Sequence, residues 1–470
     1  MKDNTGCMVS GDISKKRVDV LNMPIPEALW KLSIPMMLTF AFQTVYNMVD
    51  AYFLGKLGPI QFAAPTLVFP VVFTFIALGM GFGIASTALV SQYFGAAQCK
   101  KAEKAAAQVM LIMIVIGILV LITGLIFSKS IVYTLGGKEN AEVLPYALSY
   151  FRIVFYGIVF AYLFQVSSSI FRGLGDVRFA MELMFFSTVL NIILDPILIF
   201  GWGPIPGMGV AGAAWATTIS RFVIVVMALY VLFRGDRGFK LHISDLAPDW
   251  LLIRKAFSIG IPSSIGQMIT SFGFVVVMKA VAQFGPIVVS AYGVGNRIIG
   301  FITMIAVGIG MAVSIMVGQF IGAKRYDDAV KTVKVAVLSS FLFIGTLSTI
   351  TFFFGKYVTV FFINDPRVVE VGAEMFKYVS FSIPFFGTMH IFISVLNGAG
   401  KSLQATLANV IRLWGVRVPM VFYLSDILGY RGIFIAMLIS NIMAMIIAYL
   451  FYRFTNWKIG VIHDNKEVPA

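Results

Sequence analysis

Twelve long apolar runs dominate this chain and leave it few ways to fold. They lie at residues 29–54, 63–93, 105–127, 141–171, 178–201, 207–233, 253–284, 287–321, 329–354, 369–397, 401–424 and 430–454. A helix that spans a bilayer needs ~20 mostly apolar residues. Inside hydrocarbon the backbone must satisfy its own polar groups, so only helices and closed barrels span. Barrel strands alternate in short segments, whereas these runs are continuous. Only 12% of the 470 residues are charged and 59% are hydrophobic, against roughly 25% charged in soluble domains. The expectation is an all-α integral membrane protein of twelve transmembrane helices. The longer runs should tilt, kink or extend past the bilayer.

The net charge of +14 does not read as a nucleic-acid footprint once it is mapped onto the spans. With the N-terminus inside, the inner loops and tails carry 22 of the mapped Lys and Arg and the outer loops 6. The positive-inside rule then puts both termini in the cytoplasm, and the basic loops lie against anionic lipid heads. The reading is a multi-pass protein of the inner (cytoplasmic) membrane with lipids as neighbours, no nucleic-acid partner, and a monomer as the working unit. The first 25 residues lack an apolar stretch, so no cleavable signal is expected.

The chain contains its own second copy. At a shift of 227 residues Pro35 falls on Pro262, Gly58-Pro59-Ile60 on Gly285-Pro286-Ile287, Gln92 on Gln319 and Gly95-Ala96 on Gly322-Ala323. A weaker echo at a shift of 225 pairs Phe171–Gly175 with Leu396–Gly400. Ordered matches at Gly, Pro and Gln are not the product of apolar composition. The organisation expected is a tail (1–28), a six-helix lobe (29–233), a linker (234–252), a second six-helix lobe (253–454) and a tail (455–470). An even helix number makes the two lobes pseudo-symmetric about the membrane normal, with a substrate path at the cleft between them and alternating access by rocking. No Walker A loop occurs, so energy must come from ion or substrate gradients, and no cofactor is expected.

Two of the 22 acidic residues fall inside spans: Asp50 and Asp195. A charge at the bilayer centre costs ~2.5–3.5 kcal/mol on insertion scales, so each needs a partner or a purpose. Gln43, Tyr46, Asn47 and Asp50 share one face of the first helix, and Ser187, Asn191 and Asp195 one face of the fifth. These stripes suit a proton or cation site. The alternative is structural, with Asp195 capping a broken helix and Asp50 bound to a base. Pro35 and Pro196 are candidate bend points. In the second half Val277 replaces Asp50, and bases occur instead: Lys279, Arg297, Arg412 and Arg417. Arg152 and Arg221 are the odd bases of the first half. Such bases serve as counter-charges, snorkelling ends or contacts for an anionic substrate. His390 is a lone imidazole, either a satisfied interior histidine or a proton relay. No protease or metal-hydrolase motif appears, so an enzyme is not expected.

The stretches Gln43–Asp50, Ser91–Ala96, Asn191–Pro196 and Gly209–Thr217 resemble the multidrug and toxic compound extrusion (MATE) family, over about residues 25–455. The resemblance implies two six-helix lobes and antiport of small organic, often cationic, drug-like molecules against H⁺ or Na⁺. Members similar in the first lobe, the DinF-like branch, imply a coupling site at Gln43, Tyr46, Asp50, Asn191 and Asp195, with Thr217 joining it. Any Na⁺ would sit at Asp50, Asp195 and Asn191. Asn47, Met184, Ser168 and His390 are carried as candidates for the substrate cleft. The second-lobe acids of the NorM-like branch are missing here, where Thr270 and the region of Phe386 stand instead. A flippase for lipid-linked precursors shares the same outline and is the alternative.

Overall fold

The structure is a computed structural model that describes residues 17–137 and 141–463. The expected tails thus lie partly outside the described residues, as do Lys2, Lys15, Lys16, Lys138 and Lys466 of the charge map. The chain is helical almost throughout. In the first half the helices are α1 (Ile25–Leu57), α2 (Pro59–Gly95), α3 (Cys99–Gly136), α4 (Leu144–Tyr156), α5 (Ile158–Gly173), α6 (Val177–Phe200) and α7 (Val210–Arg234). In the second half they are α8 (Trp250–Ala282), α9 (Gly285–Gly322), α10 (Tyr326–Phe362), α11 (Pro366–Gly398), α12 (Ser402–Val410), α13 (Val418–Leu428) and α14 (Tyr430–Phe454). A two-residue hairpin, β1 (Gly201–Trp202) against β2 (Ile205–Pro206), joins α6 to α7.

Among the described residues ten helical spans are long and apolar enough to cross a membrane, α12–α13 counting as one, and the bent pair α4–α5 brings the number to eleven. The remaining expected span is α1, whose polar face of Gln43, Asn47 and Asp50 dilutes its apolarity. Two expected spans are not plain helices. The run at 141–171 breaks by 47° between α4 and α5. The joint is Gly157, where a Cβ would lie 2.6 Å from Thr218 Oγ1, so α7 can pass close only because no side chain is there. The run at 401–424 carries a π-helical turn, Ile411–Arg417, between α12 and α13. Pro196, in contrast, does not break its helix: α6 continues to Phe200. Asp195 therefore caps nothing, which removes that structural account of it.

The chain divides into two compact units. The first runs to Asp19 and then over Leu38–Ser264; the second takes Val20–Met37 and the described chain from Ile265 onward. The divisions fall inside α1 and α8, two residues after Pro35 and two after Pro262, the pair matched by the 227-residue shift.

The repeat is written into the backbone. Ala97 and Lys324, 227 residues apart, are the two non-glycine residues with positive φ among those described, both at 58°. Ala97 N–H donates to the Phe94 carbonyl and Lys324 N–H to that of Ile321, each at 3.0 Å. Gln98 N–H reaches Tyr93 at 3.0 Å, as Arg325 N–H reaches Phe320 at 2.8 Å. The weaker echo is equally real: Asp176 N–H bonds Phe171 O at 2.9 Å and Lys401 N–H bonds Leu396 O at 2.8 Å.

The first unit is closed at its loops by polar clamps. Asp176 starts α6 by accepting from Phe179 N–H at 3.2 Å and pairs with Arg237 at 2.8 Å. Asp249 starts α8, accepting from Leu251 and Leu252 N–H at 3.1 and 3.2 Å, and pairs with Lys104 at 2.7 Å. Gln108 completes this clamp by donating to the Asp245 and Ala247 carbonyls at 2.7 and 2.8 Å.

Two outcomes follow. At Gly212, on α7, a Cβ would lie 2.2 Å from the Leu198 carbonyl oxygen of α6, while at Gly293 nothing lies within 4 Å. Gly212→Val should cost about 1–3 kcal/mol by overpacking and lower the thermal midpoint in detergent, with Gly293→Val as the tolerated control. The hydrogen bond from Lys104, chiefly, holds the Asp249 carboxyl below the usual carboxylate range. A depressed carboxylate contributes stability above its unfolded pKa and loses it as pH falls through the folded value. Acid unfolding of the wild type should therefore begin at a lower pH than that of Lys104→Met.

Candidate functional site

Along the first unit α1 lies against α6. Thr188 Oγ1 donates to the Phe42 carbonyl at 3.4 Å, and the Phe42 and Phe185 rings meet at 5.2 Å. Farther along, Phe53 and Phe200 meet at 6.2 Å. Helix α7 returns from the hairpin directly onto α6, because Gly212 lets the two backbones touch. This packing sets the polar face of α1, the polar stripe of α6 and the start of α7 around one interior space.

Asp195 and Asn191 are fully buried. They are one turn apart on α6, and Asn191 Nδ2 donates to Asp195 Oδ1 at 3.1 Å. Asp50 is close enough to Asp195 for the two carboxylates to act on each other, and Arg221 on α7 is the base that opposes Asp50. Tyr46 is buried and feels Arg221, Asp50 and Asp195. Thr217 stands beside the Tyr46 hydroxyl, near enough to interact but not aligned as a regular hydrogen bond. Tyr150 of α4 faces the same four groups.

Four buried oxygens of this cluster have no hydrogen-bond partner: Tyr46 Oη, Asp50 Oδ1, Asn191 Oδ1 and Asp195 Oδ2. Leaving a buried polar atom unsatisfied costs roughly 1–3 kcal/mol, more for a charged group. Such atoms are rare in folded proteins unless something else binds them. Two carboxylates against one guanidinium leave one negative charge uncompensated. A set of carboxylate, amide and phenol oxygens suits a proton or a hard cation and offers nothing to a soft metal.

The structure thus brings together Tyr46, Asp50, Asn191, Asp195 and Thr217. It adds Arg221 and Tyr150, which the sequence reading did not place in the site. Arg221 carried a signal as a base within an apolar stretch; Tyr150 carried none, as one of 17 tyrosines. Gln43 lies on the same helix and donates to Asn47 Oδ1 at 3.3 Å, with Asn47 on the exposed side. Met184 is buried on α6, where its carbonyl accepts from Thr188 at 2.9 Å. Ser168 is taken by Arg172, which donates to it at 3.3 Å. His390 belongs to the second unit, against Phe386.

The family model MatE matches residues 35–197 and 262–423. The chain is 27% identical over 433 residues to the probable multidrug resistance protein YoeA of Bacillus subtilis, covering 90% of this chain and 92% of that protein. It is 26% identical over 434 residues to the multidrug export protein MepA of Staphylococcus aureus, covering 91% and 94%. Among solved structures, that of MATE in complex with MaL6 superposes with a TM-score of 0.87 at 25% identity, over 93% of this chain and 98% of the other.

If Arg221 and Asp50 act as one electrostatic unit, Arg221→Met should lower the thermal midpoint. Asp50→Asn in the Arg221→Met background should then recover part of the loss. A double-mutant cycle read by thermal unfolding should give a coupling of about 0.5–3 kcal/mol, against zero for independent sites.

Proposed function

Since the chain belongs to the MatE family, we propose that it is a multidrug efflux antiporter, expelling small organic, often cationic, molecules in exchange for H⁺ or Na⁺ at the Asp50–Asp195 cluster. The reading places the protein in the cytoplasmic membrane with both termini inside and has it work as a monomer. The observation that carries it is the set of four partnerless oxygens on Tyr46, Asp50, Asn191 and Asp195. The relatives named above are called resistance and export proteins, and none of them is called a flippase.

The cluster performs the coupling by accepting the ion where the uncompensated negative charge lies. In the empty site Asp50 and Asp195 repel each other and lean on Arg221 and Asn191. A bound proton or sodium ion relieves that repulsion and gives the free oxygens a partner. Asp50 then changes its hydrogen bonding, and the change passes along α1, which is continuous through Pro35. Proline removes one backbone bond there, making it the place where α1 bends at least cost. One charge moved through 100 mV yields ~2.3 kcal/mol. At roughly 150 mV a single proton sustains a few-hundred-fold gradient of a neutral substrate, ~1.4 kcal/mol being tenfold, whereas one-for-one exchange with a singly charged cation moves no net charge and draws on the pH gradient alone.

The test is ethidium transport by purified protein in liposomes, driven in turn by a pH and by a sodium gradient. Asp50→Asn and Asp195→Asn should each abolish gradient-driven transport while the thermal midpoint holds or rises. Full ion-driven transport by folded Asp50→Asn would exclude this site as the coupling element.

A further inference from the structure

The second unit contains a base in the condition of the acids of the first: buried, charged and short of partners. Arg412 is 2% exposed, and its Nε and Nη1 have no hydrogen-bond partner. Its guanidinium lies over the Phe386 ring at 5.3 Å, and that ring meets the His390 imidazole edge-on at 4.7 Å. The like charge of Arg417 acts on it. Of the acids on α11, Glu374 is held by Tyr430 at 2.9 Å and Arg431 at 2.7 Å, and Glu370 is exposed. Asp426, on the helix that follows the π turn, is exposed as well.

Arg417 shows what a structural arginine looks like in the same turn. It donates to Ser440 Oγ at 2.8 Å and to Asn441 Oδ1, and Asn441 is itself anchored on Ser382 at 2.8 Å. Arg417 is thus held by two side chains of α14, one of them braced by α11, while two of the Arg412 donors are left free. Both residues lie on the π-helical turn Ile411–Arg417. Such turns cost hydrogen-bond geometry and are found mostly at functional positions. This one is firmly held: Trp414 Nε1 donates to Ile269 O at 3.1 Å, and a Cβ on Gly273 would sit 2.2 Å from Leu413.

We propose that Arg412 is the centre of an oxyanion site in the second unit, with His390 beside it and Phe386 as the platform. The group it takes is a carboxylate or phosphate, carried either by a small organic anion or zwitterion or by an anionic lipid headgroup. A guanidinium offers a planar fork of N–H donors that matches both groups in two-point fashion. A cation is repelled by Arg412 and Arg417 together. A desolvated guanidinium with free donors is costly to keep, and an oxyanion supplies both the charge and the acceptors it lacks. The site is separate from the acid cluster, and its test requires no transport.

The test uses the full chain in neutral phosphatidylcholine nanodiscs, titrated with sodium benzoate against sodium chloride at equal ionic strength. A second set of discs contains phosphatidylglycerol. Benzoate should raise the wild-type thermal midpoint by several degrees beyond chloride, and R412Q should lose that rise while R412K keeps part of it. A rise with phosphatidylglycerol but not with benzoate, again lost in R412Q, supports the site with a lipid headgroup as its occupant. Should R412Q not fold, hydrogen exchange on the wild type decides: the effective anion must slow exchange over residues 408–418. No midpoint shift with either anion, equal shifts in wild type and R412Q, or protection confined to other segments would overturn the proposal.

Discussion

A charged side chain removed from water must find an opposite charge, find hydrogen bonds, or bind something that is not part of the chain. Most of this molecule avoids the problem by being apolar helix, with its backbone bonds made inside each segment. The exceptions are few, and each half treats its own differently. Arg172 rests on Ser168, Arg417 on Ser440 and Asn441, and Arg152 on Ser128 at 3.1 Å. The Asp50–Asp195 cluster and Arg412 are left with free atoms. That contrast between satisfied and unsatisfied buried charge directs attention to a handful of residues in a chain of 470.

Internal duplication explains both the sameness of the halves and the room for difference. The turn after α2 and the turn after α9 agree to the hydrogen bond, down to a left-handed residue that is alanine in one and lysine in the other. These turns set where the following helix starts, so substitutions in them are confined to side chains that leave the turn intact. Positions inside the helices are freer. Asp50 corresponds to Val277, which is buried in an apolar core, and the second half carries the buried Arg412 and Arg417. A shared scaffold has thus diverged into two chemical environments of opposite sign.

Several features were legible because they repeat along one helix. Asp50 with Tyr46, and Asp195 with Asn191, are four apart, and four-residue spacing on a helix is contact or near-contact whatever the rest of the chain does. The hydrogen bond from Asn191 to Asp195 is the direct expression of that spacing. Tyr150 and Arg221 were not legible as members of the site. They come from α4 and α7, and no local pattern says which face of one helix meets which face of another. The break at Gly157 and the π turn at Ile411–Arg417 were hidden for a related reason. Both answer to a neighbour, Thr218 and Ile269 respectively, rather than to the apolar run in which they sit. Pro196, read as a bend point, lies inside a helix that continues to Phe200.

By itself the sequence determined the class of solvent, the helical secondary structure, the number of spans and the duplication, since these depend only on composition and on order along the chain. It also determined that two acids had to be reconciled with a lipid environment. Tertiary structure alone decided that those acids share one enclosure with Tyr46, Tyr150 and Arg221, and that Arg412 goes unmatched while Arg417 does not. The physical reason is that satisfaction of a buried charge is a property of its surroundings in space. Helix packing brings those surroundings from distant segments, and no periodicity records where they come from.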